Sequence, residues 1–256
     1  MYQEHRTSPI KANFLEILGS ALIHFKESLI DIVKLKIQKE QLISQLEFIG
    51  FGCLPMILIL SCLGTMILTV NTAIELSGRG GRDLIGALIA LAALREIIPI
   101  FISFAISARC GTALTAEIAT MKVTDQIDVL RVFKISPIYY LLTPSLIAVF
   151  VLTPFLLAIS SVLSLFAGMI TAKSLVGISF VEFLDSAWRV VSMKEYFYPL
   201  IKTIIFSSYA LLLNISMGLN CTGGAREVGL TTTRSTALVI VGIIILDGIL
   251  TPILHG

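Results

Sequence analysis

Charged residues are scarce in this sequence. Of its 256 residues, only 14% are charged and 56% are hydrophobic, and the mean hydropathy is +0.93. Soluble globular domains carry about 25% charged and about 45 to 50% apolar residues. The composition therefore excludes an ordinary soluble domain and indicates that much of the chain lies in a membrane.

Histidines and nucleotide-binding motifs are also sparse. The three histidines, His5, His24 and His255, lie outside the apolar blocks described below, so His-based catalysis or a His-ligated metal within a membrane is not expected. The sequence contains no G-x-x-x-x-G-K-[ST] motif, which excludes ATP binding by this chain through a P-loop. A net charge of +2 gives no indication of nucleic-acid binding.

No two of the four cysteines form a C-x-x-C pair. They lie in or beside apolar segments, at Cys53, Cys62, Cys110 and Cys221. We expect them to pack as small apolar side chains, with a redox or metal-binding role as the alternative. The first residues, MYQEHRTSPIKANF, lack the features of a signal peptide, so we expect no cleaved leader.

Long apolar blocks, by contrast, are abundant. Five blocks of about 20 or more residues are bounded by polar or glycine-rich sequence, and each can cross a hydrocarbon core of roughly 30 Å as a helix. Their approximate bounds are 48–70, 84–107, 139–166, 198–218 and 235–254. We predict an all-α integral membrane protein with five transmembrane helices.

The region before the first block has a different pattern. From about residue 12 to residue 46, charged residues lie mostly opposite an apolar stripe at helical spacing. The stripe consists of Leu15, Leu18, Leu22, Phe25, Leu29, Ile32 and Val33. This pattern is typical of an amphipathic helix in the membrane interface, with a helical hairpin packed on a partner as the alternative. The sequence thus divides into an N-terminal interfacial region, 1–47, and a five-span domain, 48–256.

Lysine and arginine are unevenly distributed among the segments that link the blocks. With the N-terminus inside, inner segments hold six before block one, four between blocks two and three, and two between blocks four and five. Outer segments hold five, and two more lie within blocks. The positive-inside rule therefore places the N-terminus inside and the C-terminus outside.

Four ionisable residues fall within the blocks, at Arg95, Glu96, Lys202 and Asp247. Each charge at mid-membrane costs about 2.5 to 3.5 kcal/mol on insertion scales, so each needs a partner or a wet cavity. Arg95 and Glu96 are neighbours that point about 100° apart on a helix, so their partners must come from other helices. We predict a polar network of all four, which either locks helices together or contacts a lipid headgroup.

Depth within the blocks favours one pairing over another. Arg95 and Asp247 differ by about 6 Å in depth at roughly 1.5 Å per residue, which a long Arg side chain can bridge. Glu96 and Lys202 differ by about 12 Å, so we expect a water or a headgroup between them. Pro99 lacks an N–H group, which frees the carbonyl of Arg95 and favours a kink.

The link between blocks two and three, about 108–137, is long and polar. Thr124 is a candidate N-cap and Asp125 and Asp128 suit a first helical turn, which predicts a short helix to about Phe133. On this helix Ile127 and Leu130 share one face, while Asp128 and Arg131 offer charges. The pattern fits either a helix docked on a partner or a helix on the membrane surface.

A run of motifs in this region carries a family resemblance. Residues 94–130 read LREIIPIFISFAISARCGTALTAEIATMKVTDQIDVL. The elements Arg-Glu, Pro, Ala-Arg-x-Gly, Ala-Glu, Thr-Met-Lys-Val-Thr and Gln-Ile-Asp occur in the order and at the spacing of the MlaE-like permeases of MCE-associated (Mla-type) ABC lipid transporters. The chain closely resembles this family from about Gly64 through TTTRS at Thr231 and on to Asp247. Ala119, Asp125 and Asn71 stand where the family usually has Gly, Glu and Gln.

The resemblance implies a function and a set of partners. It implies a permease that acts as a homodimer and moves phospholipid, with an ABC ATPase subunit that binds ATP and Mg on the inner face and an MCE-domain lipid-binding protein on the outer. Within the link between blocks two and three, the segment around Glu117 to Leu130 would form the coupling helix that meets the ATPase, and blocks one, two and five would line the lipid site.

The sequence pattern and the resemblance together assign roles to two sets of residues. The lipid path or intramembrane polar network comprises Arg95, Glu96, Lys202, Asp247 and Asn71, with Pro99 at a kink. The residues assigned to coupling with the ATPase are Arg109, Glu117, Lys122, Asp125, Asp128 and Arg131. The membrane would be a bacterial inner membrane, or the inner envelope of a plastid.

Other functional classes remain as alternatives on the residues alone. Buried charges can serve catalysis, but the position of the histidines argues against an intramembrane enzyme. An ion-coupled secondary carrier or channel could use the four intramembrane charges as its path. The odd number of blocks argues against the inverted repeats of many secondary transporters.

The topology yields a first prediction. In a cysteine-free background, a membrane-impermeant thiol reagent added from outside should label Gly80→Cys, because residue 80 lies in an outer segment. It should not label Gln126→Cys. The opposite pattern would contradict the topology.

Overall fold

The computed structural model describes residues 14–33 and 38–255, and these ranges contain helices and no β-strand. Two features of the sequence analysis lie outside the described residues, namely the start of the N-terminal helix at residue 12 and His5. The all-α prediction is confirmed for the part of the chain that the structure describes.

The described residues form ten α-helices joined by short turns. Their bounds are α1 Phe14–Val33, α2 Lys39–Gly78, α3 Ile85–Ala92, α4 Ile98–Ala105, α5 Thr112–Val123, α6 Gln126–Val132, α7 Thr143–Val176, α8 Phe180–Trp188, α9 Lys194–Leu219 and α10 Ala225–His255. A 3₁₀ turn at Arg82–Leu84 precedes α3. π-helical turns at Ala93–Ile97, Ile106–Gly111 and Ile138–Leu142 connect α3 to α4, α4 to α5, and lead into α7.

Within the described ranges, five helical stretches are long and apolar enough to cross a membrane, as predicted. These spans are Lys39–Gly78, Arg82–Val123, Ile138–Val176, Lys194–Leu219 and Ala225–Leu254. The helix of span one begins at Lys39, so residues 39–46 belong to it and not to the N-terminal amphipathic helix as the sequence suggested. Helical spacing runs through both stretches and does not reveal where one helix ends and the next begins.

Span four, α9, lies at the centre of the bundle. About 72% of its apolar stretch is buried, against 11% for span five, and α9 packs on α1, α4, α5, α7 and α10. Its contact surfaces carry small and hydroxyl side chains, including Thr203, Ser207 and Ser216. Within a membrane, such residues allow close helix packing and hydrogen bonds between helices. α9 therefore positions the elements around it.

Spans one and two also meet at two cysteines. Cys53 of α2 and Cys110 of the second π-helical turn face each other, with Cα atoms 6.9 Å apart. Both are fully buried within the apolar core. The two positions are separated by 57 residues, and their proximity depends on how spans one and two pack. Cys62 and Cys221 are free thiols.

The N-terminal helix α1 uses its polar side chains to pack on the bundle. Ser28 shares a hydrogen bond of 3.0 Å with Thr143, and His24 Nδ1 lies 2.9 Å from Ser216 Oγ. The exposed residues of α1 are largely apolar, including Leu22, Ile23, Leu29 and Ile30. Part of its apolar surface therefore faces away from the protein, as an interfacial helix requires.

Close approach of α3 to α8 depends on Gly86. A Cβ atom added there would collide with the backbone carbonyl oxygen of Phe183, whereas one added at Gly229 of α10 would meet nothing within 4 Å. Both glycines lie within helices, so replacing either one by alanine should stabilise its helix by the same intrinsic amount, roughly 0.5 to 1 kcal/mol.

We therefore predict opposite outcomes for two matched substitutions. Gly86→Ala should lower the thermal stability in detergent, because overpacking costs about 1 to 3 kcal/mol and exceeds the propensity gain. Gly229→Ala should leave it unchanged or raise it slightly. Equal melting temperatures for the two variants would contradict the close packing of α3 on α8.

Candidate functional site

A fully buried lysine lies at the centre of the intramembrane charges. The side chain of Lys202 on α9 is 0% exposed, and its Nζ lies 2.6 to 2.9 Å from four oxygens. They are Glu96 Oε2, Asp247 Oδ1, Thr251 Oγ1 and the carbonyl oxygen of Arg95. A buried ammonium is tolerated only with such complete pairing. Lys202 thus ties spans two, four and five together.

The carbonyl of Arg95 is available because of the local sequence. Pro99, four residues later, has no N–H to donate to it, and the chain forms a π-helical turn at Ala93–Ile97. Lys202 Nζ donates to this carbonyl at 2.9 Å. The carbonyl that Pro99 leaves without an N–H partner is thus the one that accepts from Lys202.

The guanidinium of Arg95 has a different partner from the one predicted. Its Nε and a terminal nitrogen each donate to Glu195 at 2.6 Å, in a bidentate pair at the start of α9. Arg95 and Glu96 indeed point to different helices, as expected. The predicted Arg95–Asp247 pair is wrong, however, because Asp247 pairs with Lys202 at 2.6 Å. The predicted separation of Glu96 from Lys202 is also wrong, since they pair directly at 2.8 Å.

Both errors follow from the placement of span four. The apolar block starts at residue 198, whereas α9 begins at Lys194, which places Lys202 one helical turn deeper than the sequence suggested. The same shift brings Glu195 into the bundle, where it is 8% exposed. Its position seven residues before Lys202, on the same face of a helix, was a usable signal. Thr251, four residues after Asp247, was a second one.

The network opens to the surface at one edge of span two. Side-chain exposure is 33% for Arg95 and 32% for Glu96, against 17% for Asp247. The described chain therefore offers a guanidinium and a carboxylate to a ligand, while the ammonium stays closed. Asn71 lies exposed on α2 and is not among the groups around Lys202.

A second polar cluster joins α5, α9 and α10 nearer the α6 end of the bundle. Asn214 lies at its centre and is fully buried, accepting from Ser235 Oγ at 2.8 Å and donating to Ser107 Oγ at 3.1 Å. Thr115 Oγ1 lies 3.0 Å from the carbonyl of Asn214. A Cβ atom at Gly111 would collide with the Asn214 side chain, so the glycine makes this contact possible. The sequence analysis missed this cluster, although an Asn within an apolar helix is a signal for one.

The link between spans two and three contains the predicted short helix, α6. Thr124 is not its N-cap, because its Oγ1 donates back to the carbonyl of Thr120 at 2.9 Å and closes α5. Asp125 takes the N-cap position in a left-handed conformation, φ 61°, which turns the chain sharply between α5 and α6. Asp128 pairs with Arg131 at 3.1 Å and with Lys122 at 3.5 Å.

α6 presents both charges and apolar side chains to the surroundings. Ile127 is buried against the bundle, whereas Val129, Val132 and Phe133 are exposed, as is Arg131. The sequence analysis missed this exposed apolar face. The other residues assigned to coupling are also accessible: Arg109, Glu117 and Asp125 are exposed, and Lys122 is half-buried.

A cleft of about 550 Å³ lies beside α6, between α2, α5 and the start of span three. Its polar lining residues are Gln41, Gln45, Glu117, Thr120, Gln126 and Tyr140. Gln41 Nε2 donates to the Tyr140 hydroxyl at 2.8 Å across the cleft. Exposed charges, an apolar face and a polar cleft thus share one end of the bundle, a combination typical of a protein-binding surface.

Comparison with known proteins identifies the family. Residues 42–253 match the family described as Permease MlaE. The chain is 32% identical over 227 residues to the probable ABC transporter permease protein ycf63 of Porphyra purpurea, covering 89% of this chain and 86% of that protein. It is 30% identical to a probable ABC transporter permease of Synechocystis sp., covering 84% and 81%.

A plant relative is similar over a comparable stretch. The protein trigalactosyldiacylglycerol 1, chloroplastic, of Arabidopsis thaliana is 34% identical over 219 residues, covering 86% of this chain and 63% of that protein. Permeases of ABC transporters in general dimerise and work with a partner ATPase. With five apolar spans and a match over most of its length, this chain belongs to the MlaE permease family and is a membrane-spanning subunit of an ABC transporter.

Proposed function

We propose that this permease moves phospholipid between its membrane and an MCE-type lipid-binding partner, driven by a separate ATPase. The observation that carries the proposal is the charged network inside the spans, which is closed around Lys202 and open at Arg95 and Glu96. Charges at this depth are costly and mark a polar path through the membrane.

The open edge suits the head of a phospholipid. A guanidinium binds phosphate through charge-assisted hydrogen bonds, and the neighbouring carboxylate of Glu96 can accept from an amine. Within the described network, the two cations Arg95 and Lys202 face the three carboxyl groups of Glu96, Glu195 and Asp247. The acyl chains would lie along the apolar surfaces of the same spans.

A second copy of the chain would complete the path. From Ala237 to Ile253 the exposed residues of α10 are all apolar, with Ile244, Ile245 and Ile249 among them, and α2 exposes Ile67 and others. In a homodimer these faces of spans one and five would enclose the Arg95–Glu96 edge. Asn71 would then face the lipid path instead of the surroundings.

The α6 end of the bundle would receive the ATPase, which would bind ATP and Mg. Its exposed apolar residues Val129, Val132 and Phe133 fit a hydrophobic groove, and Asp125 and Arg131 could form ion pairs at the rim. The Asn214 cluster links this end to α9 and α10 by buried hydrogen bonds. Motion at α6 could therefore reach the helices that carry Lys202 and Asp247.

The relatives support a lipid substrate and are consistent with two kinds of membrane. The Arabidopsis relative is named for a galactolipid and is chloroplastic, while others come from algae and bacteria. We infer a bacterial inner membrane or a plastid inner envelope, with the N-terminus on the ATPase side and the C-terminus on the side of the MCE protein.

Reconstitution tests the function directly. The chain should co-purify with an ABC ATPase and an MCE protein, and the assembly in vesicles should transfer a labelled phospholipid only when ATP is hydrolysed. Transport that follows an ion gradient without ATP would instead support the ion-coupled carrier and overturn the proposal.

The ion pairs predict a pattern in double-mutant cycles scored by stability in detergent. Lys202→Met should cost about 3 to 5 kcal/mol, because it leaves buried carboxylates without their cation. Combining it with Asp247→Leu should cost less than the sum of the two single changes. Arg95→Met with Asp247→Leu is the matched control, with a smaller coupling energy because these side chains have separate partners. Additive losses for Lys202 and Asp247 would show that the pair is not formed.

If the exposed face of α6 binds the ATPase, substitutions there should impair coupling to the ATPase without impairing folding. Val132→Asp and Phe133→Asp place charges on exposed apolar positions of α6, so they should leave the melting temperature of the permease nearly unchanged. They should reduce recovery of the ATPase complex and lipid-stimulated ATP hydrolysis. Reversing Asp128 and Arg131 together should act in the same direction. Wild-type recovery in all these variants would contradict the assignment of α6.

A further inference from the structure

The short helix α8, between spans three and four, has three distinct faces. Its buried side consists of Phe183, Ser186 and Ala187. A second side carries apolar residues that remain exposed, namely Phe180, Val181, Leu184 and Trp188. The third side carries the charges of Glu182, Asp185 and Arg189. At 3.6 residues per turn, the exposed apolar side lies between the buried side and the charged side.

The buried side holds α8 rigidly on span two. Ser186 Oγ donates to the carbonyl of Asp83 at 2.6 Å and accepts from the N–H of Ala87 at 3.0 Å. The close approach at Gly86 belongs to the same contact. A capping box between Ser179 and Glu182 fixes the first turn. The orientation of the exposed apolar side is therefore set by the bundle.

The exposed apolar side continues the outward surface of the adjacent spans. Only a few residues separate α8 from α7 and from α9. α7 exposes Phe166, Ile170 and Leu175, and the centre of the Phe166 ring lies 6.4 Å from that of Phe180 on α8. α7 is a membrane-spanning helix, so the apolar side of α8 adjoins a surface that contacts lipid.

From this arrangement we propose that α8 is a membrane-interface anchor, whose apolar side inserts among the lipids of the adjacent leaflet. By the charge distribution of the sequence this is the outer leaflet. The indole of Trp188, 72% exposed, lies at the level of the headgroups, where tryptophan is favoured because it is apolar with one polar N–H. The charged side faces water, with Asp185 paired to Arg189 at 2.6 Å.

A cationic group lies where lipid phosphates would be. Lys173, in the last turn of α7, places its ammonium 4.6 Å from the centre of the Phe180 ring. Lysine at the end of a span extends to the interface and keeps its charge among the headgroups. The bilayer is therefore the occupant that fits both the apolar side and its charged border. The anchor does not require that lipid be the transported substrate.

Trp188 is the only tryptophan of the chain, so its fluorescence reports on this site alone in the unaltered protein. The probe is a nanodisc of phospholipid that carries bromine either near the glycerol end or near the methyl end of its acyl chains. We expect blue-shifted emission, strong quenching by the shallow bromines, weaker quenching by the deep ones, and little quenching by iodide in the water.

A matched variant moves the indole to the charged side at almost the same depth. In Trp188→Phe with Arg189→Trp, the emission should shift to the red, iodide quenching should rise and shallow-bromine quenching should be largely lost. Equal iodide quenching of wild type and variant would overturn the anchor. So would shallow-bromine quenching of Trp188 that disappears in the complex with partner subunits, since a protein would then cover the site.

Discussion

One fully buried ammonium group constrains the rest of this structure. Lys202 needs an oxygen on every side, and it obtains them from spans two and five and from a main-chain carbonyl that Pro99 leaves free. Removing the carboxylate of Glu96 or Asp247 would leave charge poorly compensated where water is scarce. Spans two, four and five are therefore held in one relative register at the level of Lys202. Arg95 and Glu195 reinforce that register closer to the α8 end.

A permease must also change shape, and the distribution of polar contacts indicates where it can. The two polar clusters on α9, around Lys202 and around Asn214, are separated by about three helical turns, a rise near 18 Å. Between them α9 packs through small side chains and apolar residues such as Phe206, Ala210 and Leu213. Helices in contact through such side chains can slide past each other at a smaller cost in free energy than helices joined by ion pairs, because ion pairs require a strict geometry. Movements of α6 would thus reach the Arg95–Glu96 edge as shifts of whole helices.

Much of this architecture could be predicted from the sequence. Apolar blocks of sufficient length fixed the number of spans, because the bilayer sets their length. Chemistry of single residues was also predictable, as Pro99 and the divergence of Arg95 from Glu96 show. The pairing of side chains from different helices was not predictable, because the depth of each charged residue in the membrane was counted from the ends of the apolar blocks. A shift of one turn at the start of α9 was enough to hide Glu195 and to mispair Asp247. The approach of Cys53 to Cys110 depends likewise on packing between helices.

We propose that phospholipid passes the open edge formed by Arg95 and Glu96. Ile100 lies one helical turn from Glu96 on α4 and is half-buried, so a photo-crosslinking amino acid there samples this edge without removing a charge. Leu211 of α9 is fully buried and provides the control. In the assembled transporter with labelled phospholipid, illumination should yield a lipid adduct at residue 100 whose amount changes with ATP, and none at residue 211. No adduct at residue 100, or the same amount at both positions, would show that phospholipid does not pass this edge.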